Sequence, residues 1–304
     1  MVNILGIRIV RTVLLVAAAV LLVVYALISF MIARGVTQAD RHPQEAHPSD
    51  YGLEYEDVEF PSRHCGLMLS GWYLSEHSGS PHIIFVHGMG SVRSGDHAVE
   101  LASRLVDFDF NVLMFDLRGH GSSHGDKVSG GYFERWDVLG AFDYLLERGV
   151  DPGRIGLMGF SMGAAASIFA ATEEPRINAV AVDSIFANAS DLIAREAARK
   201  TAIPGWLTPM FTPASKLMAK GIYGIDIGAL VPERAVSKLD YPVMVIHGIA
   251  DERVPWQQGQ RVAAASKEGS SIWLVPRVKH LDAFLEHPEE YVRKVSAYFE
   301  WRFR

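Results

Sequence analysis

Ser161 stands in the pentapeptide Gly159-Phe160-Ser161-Met162-Gly163, a GxSxG pattern that suits a serine acting as a nucleophile. Five residues can coincide by chance, so the pattern needs context. Residues 154–158 before it read as a short buried strand, and residues 164–170 after it, rich in alanine, read as a helix. At a sharp strand-to-helix turn the hydroxyl is held clear of the sheet, and small flanking residues let the turn close without a Cβ clash. A serine hydroxyl is a weak nucleophile at neutral pH and needs a base within hydrogen-bond reach, with an acid to hold that base in the right tautomer. Both residue types follow in the chain. Asp251 lies in the loop after the strand-like run 243–246, and His280 follows the run 271–275. Each sits beyond a strand's carboxyl end, where the pockets of open α/β sheets form. The chemistry such a trio performs is acyl transfer, in which charge builds on a carbonyl oxygen and calls for two aimed N–H donors. Met162, directly after the serine, offers one. Met89 is the candidate for the other, in the loop His87-Gly88-Met89-Gly90-Ser91 after the strand 83–86; its glycine neighbours permit a tight turn that points the N–H inward, though they also suit a turn with no further role.

Those residues must be carried by alternating strands and helices, the pattern of a mostly parallel sheet covered on both faces. Runs 55–60 and 67–74 predict an opening antiparallel pair. Strands follow at 82–86, 111–115, 180–182, 243–246 and 271–275, with helices near 97–106, 133–146 and 291–303. The interval 187–239 carries no strand signal and reads as an inserted helical cap containing Trp206, Leu207, Met210, Phe211, Met218, Ile222 and Tyr223. Two roles stay open for it: an insertion whose apolar residues pack onto the main domain, or a lid over an apolar substrate pocket.

Residues 12–32 form 21 uncharged positions rich in Leu, Val and Ala, enough as a helix to cross a hydrocarbon layer of about 30 Å. A spanning helix, a cleaved signal peptide and a buried core helix compete, and the length of the run favours the first. We therefore expect an anchor over 1–34, a polar spacer over 35–54 and a catalytic domain over 55–304. Arg8 and Arg11 before the span, against Arg34, Arg41 and Asp40 after it, lean towards a cytoplasmic N-terminus, with the catalytic domain on the extracytoplasmic side. The net charge is −6; Arg8, Arg11 and Arg34 are the only charges in the first 34 residues, so the remainder carries −9, which argues against nucleic acid as a partner. Cys65 is the sole cysteine, excludes an intramolecular disulfide, and is expected to be buried or half-buried.

His87-Gly88, the run Asp116-Leu117-Arg118-Gly119-His120-Gly121-Ser122-Ser123, the GxSxG around Ser161, His247-Gly248 with Asp251 and Val254-Pro255, and His280 occur in an order that resembles the α/β-hydrolase superfamily. The likeness covers residues 55–304 and is nearest to the membrane-anchored Bem46-like and serine-aminopeptidase-domain branches. It implies an α/β-hydrolase fold, a mostly parallel sheet of about eight strands flanked by helices. It also implies Ser161 as nucleophile, Asp251 as acid, His280 as base, and Met89 and Met162 as oxyanion donors. Asp183, at the end of the strand after the nucleophile helix, occupies a place where some hydrolases put their acid and competes with Asp251. Asp282 reads as a cap of the final helix, with His287 and Pro288 marking that helix's start. Asp116 and Arg118 read as loop-fixing hydrogen bonders. His120 and His124 share an HxxxH spacing but lack a third ligand nearby, so neither a metal nor a cofactor is expected.

The function this predicts is a membrane-anchored serine hydrolase that cleaves an ester, thioester or amide through a covalent acyl-enzyme, with a small-molecule or lipid acyl substrate and carboxylesterase or lipase-like activity. An acyltransferase differs only in what attacks the acyl-enzyme. A non-catalytic, membrane-tethered binding module is the third reading.

Overall fold

The computed structural model describes residues 4–75, 77–200 and 203–304. In chain order the elements are α1 (Ile4–Thr37), β1 (Glu56–Pro61), β2 (Met68–Leu74), β3 (His82–Val86), α2 (Ala98–Val106), β4 (Asn111–Phe115), α3 (Glu134–Glu147), β5 (Ile155–Phe160), α4 (Met162–Glu173), β6 (Val180–Asp183), α5 (Ala189–Lys200), α6 (Thr212–Tyr223), α7 (Pro232–Val236), β7 (Met244–Gly248), α8 (Trp256–Ala265), β8 (Ser271–Val275), α9 (Ala283–Glu286) and α10 (Pro288–Arg302). They divide into two compact units. One joins the N-terminal stretch up to Thr37 with Ile193–Asp226; the other joins Gln38–Leu192 with Ile227–Arg304.

The larger unit is built on an eight-stranded sheet in the order β1-β2-β4-β3-β5-β6-β7-β8. β1 pairs antiparallel with β2, and β2 antiparallel with β4; all later pairings are parallel. The burial of each strand explains its composition. β3, β4, β5, β6 and β7 are buried at every position and are predominantly apolar, whereas the edge strand β1 alternates and buries only Val58 and Phe60. Helices cover both faces: α3, α4, α7 and α8 bury Leu139, Phe142, Ile168, Val236 and Val262 on one side, and α2 and α10 bury Leu101, Leu105, Tyr291, Val295 and Phe299 on the other. Fully burying one such aliphatic or aromatic side chain contributes about 1.5–3 kcal/mol, so these two layers hold the sheet rigid. The chain passes from β3 to β4 on one side and then returns to place β5 on the other, so the sheet's switch point lies between β3 and β5, where open α/β sheets leave a crevice beyond their carboxyl ends.

The smaller unit is helical. α1 extends beyond the expected span at both ends, because no proline interrupts the run, and it packs against α6 through a cluster of Ile32 and Phe211 with Tyr25, Ile28, Ile203 and Leu207 around them. Between β6 and β7 no strand forms among the described residues, but the separate body is narrower than the interval 187–239. Ala187, Leu230, Val236 and Leu239 belong to the core beside α4, since these flanks carry apolar side chains that the sheet unit buries. The stretch expected as a polar spacer over 35–54 makes defined contacts. Gln38 bridges Lys127, Arg41 donates to the carbonyls of Gly121 (2.6 Å) and Gly125 (2.8 Å), and Gln44 donates to Asp116 at 2.9 Å. A backbone bridge and two side chains that reach backbone or carboxylate acceptors outweigh the low apolar content of this segment.

Candidate active site

Ser161 sits between the last residue of β5 and the first of α4, with φ 52° and ψ −110°. A left-handed φ at a serine is strained, and it aims the hydroxyl out of the sheet. The turn closes only because its flanks lack side chains. A Cβ added at Gly163 would lie 2.0 Å from the Val86 carbonyl oxygen, so α4 could not approach β3. The Ser161 N–H donates to the Asp183 carbonyl at 2.9 Å, tying the turn to the end of β6.

Asp251 is buried in the loop after β7, where Oδ1 accepts from the Arg253 N–H (2.9 Å) and the Val254 N–H (2.8 Å). His280 is half-buried in the loop after β8, with Nδ1 2.6 Å from Asp251 Oδ2 and Nε2 3.0 Å from Ser161 Oγ. A carboxylate only accepts, so Nδ1 carries the proton and donates to Asp251, which leaves the Nε2 lone pair facing the serine hydroxyl. Burial alone would raise the Asp251 carboxyl, but hydrogen bonds from His247 and His280 and from the Val254 N–H prevail and hold it well below the usual carboxylate range. The two loops are fastened to each other: the Ala250 N–H donates to the Val278 carbonyl at 2.9 Å. A Cβ at Gly248 would stand 2.4 Å from that same carbonyl oxygen, which is why glycine follows His247.

The loop after β3 passes directly beside the serine. A Cβ built on Gly88 would lie 3.3 Å from Ser161 Cβ and 3.9 Å from its Oγ. Met89 is next in that loop, and Met162, as the first residue of α4, has no carbonyl one turn back for its N–H to meet. The structure therefore brings Ser161, Asp251 and His280 into one hydrogen-bonded line and places the Met89 and Met162 segments around its serine end.

Residues 83–294 match the alpha/beta hydrolase family, more than two thirds of the chain. The chain belongs to this family. The hydrolase is 27% identical over 245 residues to the Escherichia coli K12 protein YfhR, covering 79% of this chain and 78% of that one. It is 26% identical over 219 residues to the zebrafish (Danio rerio) protein named lysophosphatidylserine lipase ABHD12, covering 67% of this chain and 54% of the relative. Among solved structures, a Pyrococcus furiosus esterase superposes with a TM-score of 0.71 at 25% identity, covering 88% of this chain and all of the esterase.

Other residues of the hydrolase that compete for these roles lie elsewhere. Asp183 is hydrogen-bonded away from the His280 ring: its Oδ1 accepts from Ser184 Oγ (2.9 Å) and its Oδ2 from the Tyr291 hydroxyl (2.9 Å). Burial raises its carboxyl to about 6, against those two hydrogen bonds. Asp282 precedes the short α9 rather than the final helix and makes no capping hydrogen bond. The chain turns sharply at Leu281, φ 64°, before α9, and His287 with Pro288 begins α10. Cys65 is exposed, contrary to expectation, because the β1–β2 turn holds it at the surface where Arg118 donates to its sulfur at 3.6 Å.

Several residues of the other matching segments support the site without touching Ser161 or His280 by hydrogen bond. His120 Nε2 accepts from the Gly90 N–H at 3.2 Å, while Nδ1 faces the Arg118 carbonyl at 2.9 Å. His87 Nε2 accepts from the Leu117 N–H at 2.9 Å and Nδ1 faces the Gly88 carbonyl at 2.8 Å. Burial, and for His87 also the neighbouring His120, lowers both rings, His87 to about 3, so each stays neutral and can donate and accept at once. Together they stitch the loop after β3 to the loop after β4. Asp116 accepts from the Arg93 N–H (2.8 Å) and the Ser122 N–H (3.0 Å), and Arg118 makes a buried pair with Asp137 at 2.6 Å. His247 Nε2 donates to the Val254 carbonyl at 2.9 Å and lies 3.3 Å from Asp251 Oδ2, a placement foreshadowed only by its position four residues before the acid.

Proposed function

We propose that this hydrolase works through a covalent acyl-enzyme formed on Ser161. His280 takes the hydroxyl proton as the serine attacks and returns it to the leaving group; water then repeats the sequence and releases the acid. Asp251, held as an anion, orients the ring and stabilises its protonated form. The N–H groups of Met162 and Met89 are assigned to the developing oxyanion. The observation that carries this reading is the unbroken line from Asp251 through His280 to Ser161, at 2.6 and 3.0 Å. A fluorophosphonate probe is expected to label the wild type and not Ser161→Ala; equal labelling of the two would overturn it.

The substrate class we propose is a carboxylic ester with a small-molecule or lipid acyl group. The likeness to a Pyrococcus furiosus esterase and to a protein named as a lysophosphatidylserine lipase supports an ester over an amide. A series of p-nitrophenyl esters of increasing chain length, run beside aminoacyl arylamides, decides it: turnover confined to the arylamides would reject the proposal. We read residues 187–239 as an inserted cap, and α1 as a single-pass anchor with the N-terminus cytoplasmic. The helix Gly6–Thr37 is long and apolar enough to cross a membrane. The packing of Tyr25, Ile28 and Ile32 against Phe211 supports retention of this segment over its removal as a leader. Resistance to extraction by alkaline carbonate, together with protease protection of a tag on one side of sealed membranes, tests the anchor and its orientation.

A further inference from the structure

The register between α1 and α6 carries a consequence for the bilayer, and it rests on the reading of α1 as a span. Arg8 and Arg11 bound the uncharged run on one side and Arg34 on the other, so hydrocarbon is confined to residues 12–32. Of these, Thr12 to Val24 would cross only about 20 Å, a third short of a typical core. Residues 25–32 must therefore lie in hydrocarbon too. Yet their partners are protein. The Tyr25 hydroxyl donates to the Met210 carbonyl at 2.9 Å, and the Tyr25 and Phe211 rings stack at 5.3 Å. Ser215 Oγ donates to the Ser29 carbonyl at 3.0 Å, and Ile32 is buried with Phe211. Tyr25 lies seven residues before Ile32, about 10 Å inside the end of the span, so Met210 is drawn to the same depth.

We propose that residues 203–217 are embedded in one leaflet of a lipid bilayer alongside the end of α1, giving the protein a second membrane-inserted element. The outward side chains fit that environment. Trp206, Met210 and Leu217 are 80%, 60% and 72% exposed, a set of large apolar groups that water would penalise and lipid would not. The backbone fits as well. Pro204, Pro209 and Pro213 fall in the stretch before and at the start of α6, where three missing N–H groups are three fewer donors to satisfy in hydrocarbon. The Leu207, Met210 and Phe211 N–H groups donate to the carbonyls of Pro204 (2.8 Å), Leu207 (3.1 Å) and Thr208 (3.1 Å). Lys220 is paired with Asp226 at 2.6 Å, and its long stem lets the pair reach the headgroups.

The test uses the full chain, in a Cys65→Ser background, reconstituted in phosphatidylcholine vesicles with single nitroxide labels at Leu15→Cys, Met210→Cys, Leu217→Cys and Glu268→Cys. Collisions with oxygen, which partitions into lipid, are compared with collisions with a water-soluble nickel chelate. The expected result is that the labels at 210 and 217 follow the label at 15, with nickel accessibility lost relative to 268. Labels at 210 and 217 that behave like 268 while 15 stays in lipid would overturn the inference and leave the anchor standing; all four in water would overturn the anchor first. Protection of 210 and 217 from both reagents would mean a protein partner or a second copy covers this face, which also rejects lipid. Brominated lipids give an independent reading: they should quench a component of the tryptophan emission that is lost in Trp206→Phe, and unchanged quenching in that variant counts against the proposal.

Discussion

Asp183 and Asp251 stand at the carboxyl ends of the neighbouring strands β6 and β7, both buried, and the hydrolase treats them in opposite ways. Asp251 meets two backbone N–H groups and the His280 ring, with His247 behind it, and is held as an anion. Asp183 meets only two hydroxyls, from Ser184 and Tyr291, and its carboxyl rises to about 6. Burial penalises both charges; what differs is the set of donors aimed at each. A loop that turns its N–H groups inward lowers the acid it surrounds, and a strand end faced by neutral hydroxyls leaves burial to raise its acid to about 6.

The largest effect that can break this comparison is expected from Asp251→Asn. The amide keeps the shape but reverses the preferred His280 tautomer, so kcat should fall about ten-thousand-fold with the fold retained. Steady-state turnover on an activated ester, with circular dichroism as the control, measures it; a loss under tenfold would mean another carboxylate holds His280. Asp183→Asn should lower kcat by less than about tenfold and act on stability instead. Because folding raises the Asp183 carboxyl from 3.8 to about 6, its stabilising contribution is present below pH 4 and disappears as pH rises through 6. Between those limits the stability of the wild type relative to Asp183→Asn should decline by roughly 3 kcal/mol, followed by urea unfolding across the pH range. Asp251 has the opposite sign: its contribution is present above the unfolded value and lost only in strong acid.

Tyr291→Phe deletes one of the two hydroxyls on Asp183 in a fully buried setting and should cost about 1–3 kcal/mol of stability while sparing turnover. A thermal midpoint unchanged from wild type would show that this hydrogen bond contributes nothing. The smallest change is expected from Ser184→Ala. Ser184 Oγ donates to Asp183 and accepts from the Leu281 N–H at 3.3 Å, linking the silent carboxyl to the residue after His280. Loss of that link should reduce stability by about 1 kcal/mol and kcat by a few-fold at most, through less exact placement of the ring.

Most strands and the order of the site were legible because their signals are local. β3, β4 and β8 are predominantly apolar runs, buried on both faces in the first two, and the observed bounds of all three coincide with the expected ones. Ser161 was legible because its turn leaves a trace in the adjacent glycines. The choice between Asp183 and Asp251 was less so, since both close strands next to the site and differ only in what chain-distant groups aim at them. His87 and His120 were invisible as neutral bridges between two loops, because no spacing rule marks an imidazole that accepts from a backbone N–H 30 residues away. The contacts of the stretch after Thr37 were not legible for the same reason: its composition is that of a linker, and only Arg41 and Gln44 finding acceptors reveals them.

From its residues alone the chain determined an α/β hydrolase pattern, a serine at a strained turn, an acid and a histidine after it in a fixed order, and an uncharged run long enough to cross a membrane. These are properties of periodicity and of backbone sterics, which act over a few residues. Tertiary structure decided which carboxylate faces His280, why that carboxylate keeps its charge, and that residues 193–226 join α1 in a unit of their own. Each of those depends on groups far apart in sequence meeting at hydrogen-bond distance, and a burial cost or a donor's aim exists only once they have met.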